Sequence, residues 1–271
     1  MLLYANGDSF TAGSELAEDL LPGWPGYRDD CDPNSPAMKE YLQWFKKIIR
    51  KEKHIELWAL TEATGRKLAW PQQLANRLGC QCYNNAQGGS SFDKICRTTI
   101  SDLLQLKKEH TEIVAVISIT DIFRSEIADA RHPELWEPFD PKTMPDPDTP
   151  NYNVYLNLAK FKVLHETIFY RLWSFYWNAL QVKNFCTINN IKLFWVEVFP
   201  DGFYPHAEER EHPVLKPLID EVDLQFITSL SDIATMSTQE QKYCPGGHFR
   251  KEIHVEIAQK LRSKIIRQLK L

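Results

Sequence analysis

Leu2-Leu3-Tyr4-Ala5-Asn6 and the residues after it, Gly7-Asp8-Ser9-Phe10-Thr11-Ala12-Gly13, decide the fold. A short apolar run that stops at a glycine and passes into small polar residues reads as a strand feeding a helix, with Ser9 at the junction. Ser9 then has two readings. It is an N-cap whose hydroxyl accepts from a first-turn amide, or it is a nucleophile at the carboxyl end of a central strand, where open α/β sheets bind their ligands. Partners elsewhere in the chain must decide.

Working outward, residues 14–35 carry Glu15, Glu18, Asp19, Asp29, Asp30 and Asp32 among prolines and glycines and read as a surface excursion. Residues 36–52 read as an amphipathic helix with Tyr41, Trp44, Phe45 and Ile48 on one side. An excursion that leaves and returns near Ser9 suits a lid or a substrate-selecting wall. Trp70 to Gly79 has proline near its start and glycine past its end, the signature of a short helix. Cys80 to Tyr83 is a second strand, and the Gly88-Gly89 turn leads to a helix that runs to about Lys108. Ile113-Val114-Ala115-Val116-Ile117-Ser118-Ile119 is the clearest strand, a β-branched run suited to a sheet buried on both faces. It ends at Thr120, with Arg124 and Glu126 just beyond.

Residues 131–152, with six prolines, read as a second surface excursion. A long aromatic helix is expected from about Val154 to Asn189, a fourth strand over Lys192 to Phe199 and a fifth near Leu224 to Ile227. A final helix from about Phe249 repeats Ile253, Ile257, Leu261, Ile265 and Leu269. Strands alternating with helices point to a parallel, doubly wound α/β sheet.

The 271 residues are 43% hydrophobic, ample for a core, and the net charge of −4 offers no basic excess to neutralise a phosphate backbone. Nucleic acid is therefore not an expected partner. Six cysteines without a CxxC pair read as reduced thiols, and no apolar run approaches a membrane span. The chain enters its first strand at once, leaving no space for a signal sequence, so the expected location is cytoplasmic.

In a parallel sheet, Ser9, the Gly88-Gly89 turn and Thr120 share one edge. His248, in the turn Cys244-Pro245-Gly246-Gly247-His248 before the final helix, can reach that edge, and imidazole titrates near working pH. Cys244-x3-His248-x5-His254 matches no standard zinc spacing, so no metal is expected, and no cofactor is implied.

Gly7-Asp8-Ser9, Asn84-x-Ala86-x-x-Gly89-x-Ser91, Trp70-Pro71-x-x-Leu74-Ala75 and His248-x5-His254-x-x-Ile257-Ala258 together resemble the blocks of the SGNH (GDSL-like) hydrolase family, in the family's order. The resemblance implies a single three-layer α/β/α domain over residues 1–271, with a mostly parallel sheet of about five strands and insertions at about 14–60 and 131–152. It implies Ser9 as nucleophile and His248 as base, with an oxyanion held by the amides of Ser9 and Gly89 and by Thr120, which stands where the family has asparagine. Arg124 and Asn84 are candidates for substrate contacts, although Arg124 is more simply the partner of Glu126. The family's acid three residues before the histidine is replaced here by Pro245. A backbone carbonyl or a carboxylate from residues 200–240 would have to orient His248. Gly88-Gly89-Ser90-Ser91 through Arg97-Thr98-Thr99, with Thr120-x3-Arg124-x-Glu126, further resembles a branch associated with tailed phages, which would place the protein in a host cytoplasm or a virion.

The expectation is an esterase acting on an O-acyl ester, an acetylated carbohydrate being the class the resemblance implies. The rival is a binding or structural module that keeps the fold and has lost efficient catalysis, favoured by Pro245 and Thr120.

Overall fold

A computed structural model describes residues 1–27, 35–49, 55–122, 124–128, 136–139, 152–165, 167–198, 210–240, 242–245 and 247–269. The first strand, β1 (Leu2–Asn6), is buried along its whole length and passes directly into a one-turn helix, α1 (Ser9–Ala12). A 3-10 turn (Glu18–Leu20) and three helices follow, α2 (Pro36–Ile49), α3 (Ile55–Leu68) and α4 (Trp70–Leu78). Then come β2 (Gln81–Asn84), α5 (Phe92–Leu106) and β3 (Ile113–Ile119), and a hairpin of β4 (Ser125–Ala128) with β5 (Trp136–Phe139). The helices α6 (Tyr152–His165) and α7 (Ile168–Ile188) precede β6 (Lys192–Glu197). The chain continues through a helix Leu215–Val222, β7 (Phe226–Ser229), a helix Leu230–Met236 and a last helix Lys251–Leu269.

One five-stranded sheet in the order β2-β1-β3-β6-β7 has every neighbouring pair parallel. Its two faces bury alternate residues of the same strands, as a side-chain period of two requires. Leu2, Tyr4, Ala115 and Ile117 join α5, α7 and the helix Leu215–Val222 on one face. Leu3, Ala5, Val114 and Val116 join α4 and the helices Leu230–Met236 and Lys251–Leu269 on the other. The result is the three-layer α/β/α arrangement expected from the alternating pattern. The apolar stripe of the last helix is fully buried at Ile253, Ile257, Leu261 and Ile265.

Several expectations need correction. The segment after Ser9 is not wholly superficial: Leu16, Ala17, Glu18 and Leu21 are buried. The helix α3 has no counterpart in the sequence reading, because Gly65 interrupts its pattern and weakens its helix propensity. That glycine has a packing reason. A Cβ on Gly65 would lie 2.6 Å from the carbonyl oxygen of Gly13, and one on Gly13 would lie 2.5 Å from the carbonyl oxygen of Gly65. The two backbones therefore meet with no space between them.

The long helix expected to Asn189 is broken, since the Thr167 hydroxyl accepts from the Tyr170 amide at 3.2 Å and starts α7 afresh. Of the second excursion, residues 136–139 form β5, and residues 131–135 and 140–151 lie outside the described residues. Among the described residues no helix is long and apolar enough to cross a membrane.

Gly7 ends β1 where nothing larger fits. A Cβ there would stand 2.5 Å from Thr11 Oγ1 and 2.7 Å from Ser118 Cβ. Because both neighbours sit on buried elements, Gly7→Ala is expected to cost roughly 1–3 kcal/mol. Thermal unfolding checks this, with a fall in Tm of about 2–4 °C per kcal/mol expected for a chain of this length.

Candidate active site

The carboxyl ends of β1, β2 and β3 bring three loops to one edge of the sheet. The first is the Ser9 turn. Its cap is Asp8, whose Oδ1 accepts from the Phe10 amide at 3.1 Å. Ser9 is thus the first helical residue and not the cap, so its hydroxyl is not consumed in capping. It lines a cavity of about 350 Å³ together with Gly88, Gly89, Arg124 and His248.

The second loop, after β2, is tied to the first by main-chain bonds from Asn85 N to Ala5 O (3.0 Å) and from Gln87 N to Gly7 O (3.3 Å). A Cβ on Gly88 would lie only 3.8 Å from Ser9 Cβ, so this turn runs alongside the serine. Gly89 has φ +74°, a left-handed conformation in which glycine carries no steric penalty. Asn84 is occupied in holding the turn: its Nδ2 donates to Thr11 O at 3.0 Å and its Oδ1 accepts from the Ala86 amide at 3.1 Å. Its amide is thus engaged in holding the turn, and it is not among the residues that line the Ser9 cavity.

The third loop, after β3, also differs from expectation. The Thr120 hydroxyl donates its one proton to Asp8 Oδ2 at 3.0 Å and accepts from Arg124 Nη1 at 3.0 Å. That proton is committed to Asp8, so in this arrangement the hydroxyl has none to offer an oxyanion. Arg124 does not pair with Glu126, which binds Arg97 at 2.6 Å. Its Nη1 instead lies 3.4 Å from Asp8 Oδ2.

His248 comes from the turn before the last helix. That turn is closed by bonds from Cys244 N to His248 O (2.7 Å) and from Gly247 N to Cys244 O (2.9 Å). Phe10, one residue after Ser9, packs against both the imidazole and Phe249 with ring centroids 4.8 Å apart in each case. The imidazole is thereby held over the serine turn. Ser9 and His248 line the same cavity, with no hydrogen bond between their side chains. Catalytic hydrogen bonds are commonly longer before substrate binds than after.

The carboxylate that orients this imidazole is Glu15. His248 Nδ1 donates to Glu15 Oε1 at 2.6 Å, and the carboxylate side chain is only 4% exposed. Among the described residues, neither one of 210–240 nor a backbone carbonyl takes this role. Glu15 adopts φ +66°, unusual for a non-glycine residue and the kind of local strain that surrounding structure must impose. The structure imposes it through Gly13, which turns in the left-handed region directly against Gly65 of α3. Sequence offered one faint signal, an acid between a glycine turn and the apolar pair Leu16-Ala17.

Burial alone would pull the His248 pKa down. The charge of Glu15 and its hydrogen bond, with the charge of Asp8, outweigh burial and the opposing Arg124, so the net direction is upward from 6.5. Six residues further on, His254 behaves oppositely. It is fully buried, its Nδ1 accepts from the Trp70 amide at 3.0 Å, and burial first, then His248, lower its pKa to about 3. It is a neutral core residue and stands apart from the site.

Glu18 completes the wall. Burial, reinforced by the charge of Glu15, raises its pKa to about 8, while Tyr41 donates to its Oε1 at 3.4 Å. Glu18 thus keeps its proton at neutral pH. A second cavity, of about 390 Å³, is lined by Phe175, Tyr176, Arg210 and Asp220 among others, and its described lining holds neither the serine nor a histidine. Among the described residues no group of three His, Cys, Asp or Glu side chains could hold a metal ion.

No family model and no curated protein matches the chain. Solved structures similar to it along almost all of its length are GDSL lipolytic proteins and esterases. They include one described as a lipolytic protein of the G-D-S-L family from Desulfitobacterium hafniense DCB-2, at 11% identity and TM-score 0.45, covering 97% of this chain and 98% of that one. The psychrotrophic esterase EstA from Pseudoalteromonas sp. is similar at 10% identity and TM-score 0.46 over 100% of this chain and 99% of that one. A carbohydrate esterase family 2 enzyme with a carbohydrate-binding domain, from Corynascus thermopiles, is similar at 10% identity and TM-score 0.49 over 100% of this chain and 67% of that one.

The raised pKa of Glu18 makes a stability claim with a definite sign. The folded state keeps the proton up to about pH 8, whereas an unfolded carboxyl releases it near 4.5, so this contribution is full below 4.5 and is lost as pH rises to 8. The loss is at most about 1.4 kcal/mol per pH unit. Urea unfolding at pH 5 and pH 8 is expected to show a decline in stability that is smaller in Glu18→Gln, since the amide cannot ionise.

Proposed function

We propose that the protein is a serine hydrolase acting on O-acyl esters, with Ser9 as nucleophile, His248 as general base and Glu15 as the carboxylate that orients the base. The observation that carries this reading is the Glu15–His248 pair at 2.6 Å in the wall of the cavity that Ser9 also lines. Sequence alone left the histidine without an acid, which favoured an inert module. Glu15 removes that objection, and Pro245 no longer weighs against catalysis.

In this mechanism Ser9 Oγ attacks the ester carbonyl and His248 Nε2 takes its proton. The imidazolium is stabilised by Glu15, which also holds the tautomer with the proton on Nδ1. The amides of Ser9 and Gly89 donate to the oxygen that becomes negative. His248 then protonates the leaving alkoxide, and water activated by the same histidine releases the acid and restores Ser9. Small polar esters suit a cavity of about 350 Å³ whose walls include Ser14, Thr61 and Glu62 beside Tyr41 and Phe45. Acetylated carbohydrates are the class we favour within that description. The resemblance to a tailed-phage branch would make this an esterase encoded by such a genome.

A fluorophosphonate probe tests the nucleophile. The wild type is expected to be labelled and Ser9→Ala to be silent, whereas a folded but unlabelled wild type contradicts the reading. Turnover of p-nitrophenyl acetate tests the other two groups. His248→Ala is expected to abolish it, and Glu15→Gln to reduce kcat by roughly 10²–10⁴, since loss of the orienting acid spoils the tautomer.

A further inference from the structure

Arg124 places a cation at the edge of the sheet where the proposed chemistry occurs, a residue that the sequence offered only as a substrate contact or as the partner of Glu126. Its position is fixed from one side. Nη1 donates to Thr120 Oγ1 at 3.0 Å and lies 3.4 Å from Asp8 Oδ2, on the residue immediately before Ser9. A guanidinium has five N–H groups in a planar fork, and Nη1 carries two of them. The N–H groups on Nε and Nη2 donate to no acceptor among the described residues. The side chain is 27% exposed and lines the cavity with Ser9, Gly88, Gly89 and His248. Anchored at one nitrogen, and with no acceptor among the described residues at the others, it is set to receive an acceptor from within that cavity.

Two acceptors could fill this place: a carboxylate belonging to the substrate, or the carbonyl oxygen that gains charge during acyl transfer. The remaining charges decide between them. Glu15 and Glu62 line the same cavity, Asp8 lies against Arg124 itself, and Glu18 is the neutral exception. A substrate anion would meet these like charges throughout its stay. A neutral ester meets them without penalty, and its oxygen becomes negative only as the tetrahedral state forms.

Building on the hydrolase reading, we propose that Arg124 is a catalytic residue for neutral esters, donating from its remaining guanidinium N–H groups to the developing oxyanion in the place that Thr120 leaves vacant. No proton is transferred. The guanidinium stays charged throughout, and the charge it stabilises is the one created when the Ser9 Oγ–carbon bond forms and the carbonyl π electrons move to oxygen. Asp8 and Thr120 then act as positioning residues that aim the fork.

The test is steady-state kinetics of Arg124→Met and Arg124→Gln on p-nitrophenyl acetate and on the anionic mono-p-nitrophenyl succinate, beside inhibition by a neutral aryl trifluoromethyl ketone that forms a tetrahedral adduct with a serine. Loss of one oxyanion donor is expected to lower kcat on the acetate by roughly 10²–10³ while KM moves less than about threefold. Ketone affinity is expected to fall in parallel with kcat/KM. Gln retains amide donors for Asp8 and Thr120, so it covers the case in which Met fails to fold. A kcat within about threefold of the wild type in a folded variant overturns the proposal, as does a loss confined to KM or to the succinate. These outcomes are separable from failure of the hydrolase reading, which would show as a wild type unreactive to fluorophosphonate and would remove the proposal with it.

Discussion

The hydrogen-bonded pair of Glu15 and His248 is the contact on which the site depends, and it is an expensive one to build. A carboxylate 4% exposed must recover its lost hydration from the imidazole and its neighbours. The chain meets that demand with backbone geometry. Gly13 turns in the left-handed region, Gly65 of α3 lets it lie flush, and Glu15 follows at φ +66° with its side chain directed toward the last loop of the fold. The helix α3 and the turn after Ser9 are therefore coupled parts of one support. A side chain at either glycine would displace the acid.

Around this pair the polar groups have separate tasks. Asp8 caps α1, accepts from Thr120 and holds Arg124, and so fixes the far side of the serine turn. Glu18 keeps its proton because burial penalises its charged form, and the nearby charge of Glu15 adds to that cost. Phe10 presses on both His248 and Phe249, linking the serine turn to the loop that carries the base. The same one-turn helix thus presents the serine, seats the histidine and leads to the acid within seven residues.

The sheet was readable in the sequence because its signals are strong and local. The uninterrupted β-branched run of β3, the four-residue stripe of the last helix and the proline and glycine at the ends of α4 each follow from burial or backbone geometry alone. Ser9, Gly89, Arg124 and His248 could be brought to one cavity by topology, since parallel strands present their carboxyl ends together. What stayed hidden depends on tertiary contact. Glu15 looks like one acid among many in a polar stretch, and only the Gly13–Gly65 contact turns it inward. Thr120 and Arg124 carry no mark of which carboxylate each will choose. The helix α3 is disguised by the glycine that its packing requires.

The most direct measurement is an NMR titration of the His248 imidazole in the ligand-free protein, with Glu15→Gln beside the wild type. A midpoint above 6.5 in the wild type that falls on substitution is the expected result, since the carboxylate must outweigh burial. A wild-type midpoint at or below 6.5, unmoved by Glu15→Gln, would contradict the account at its foundation.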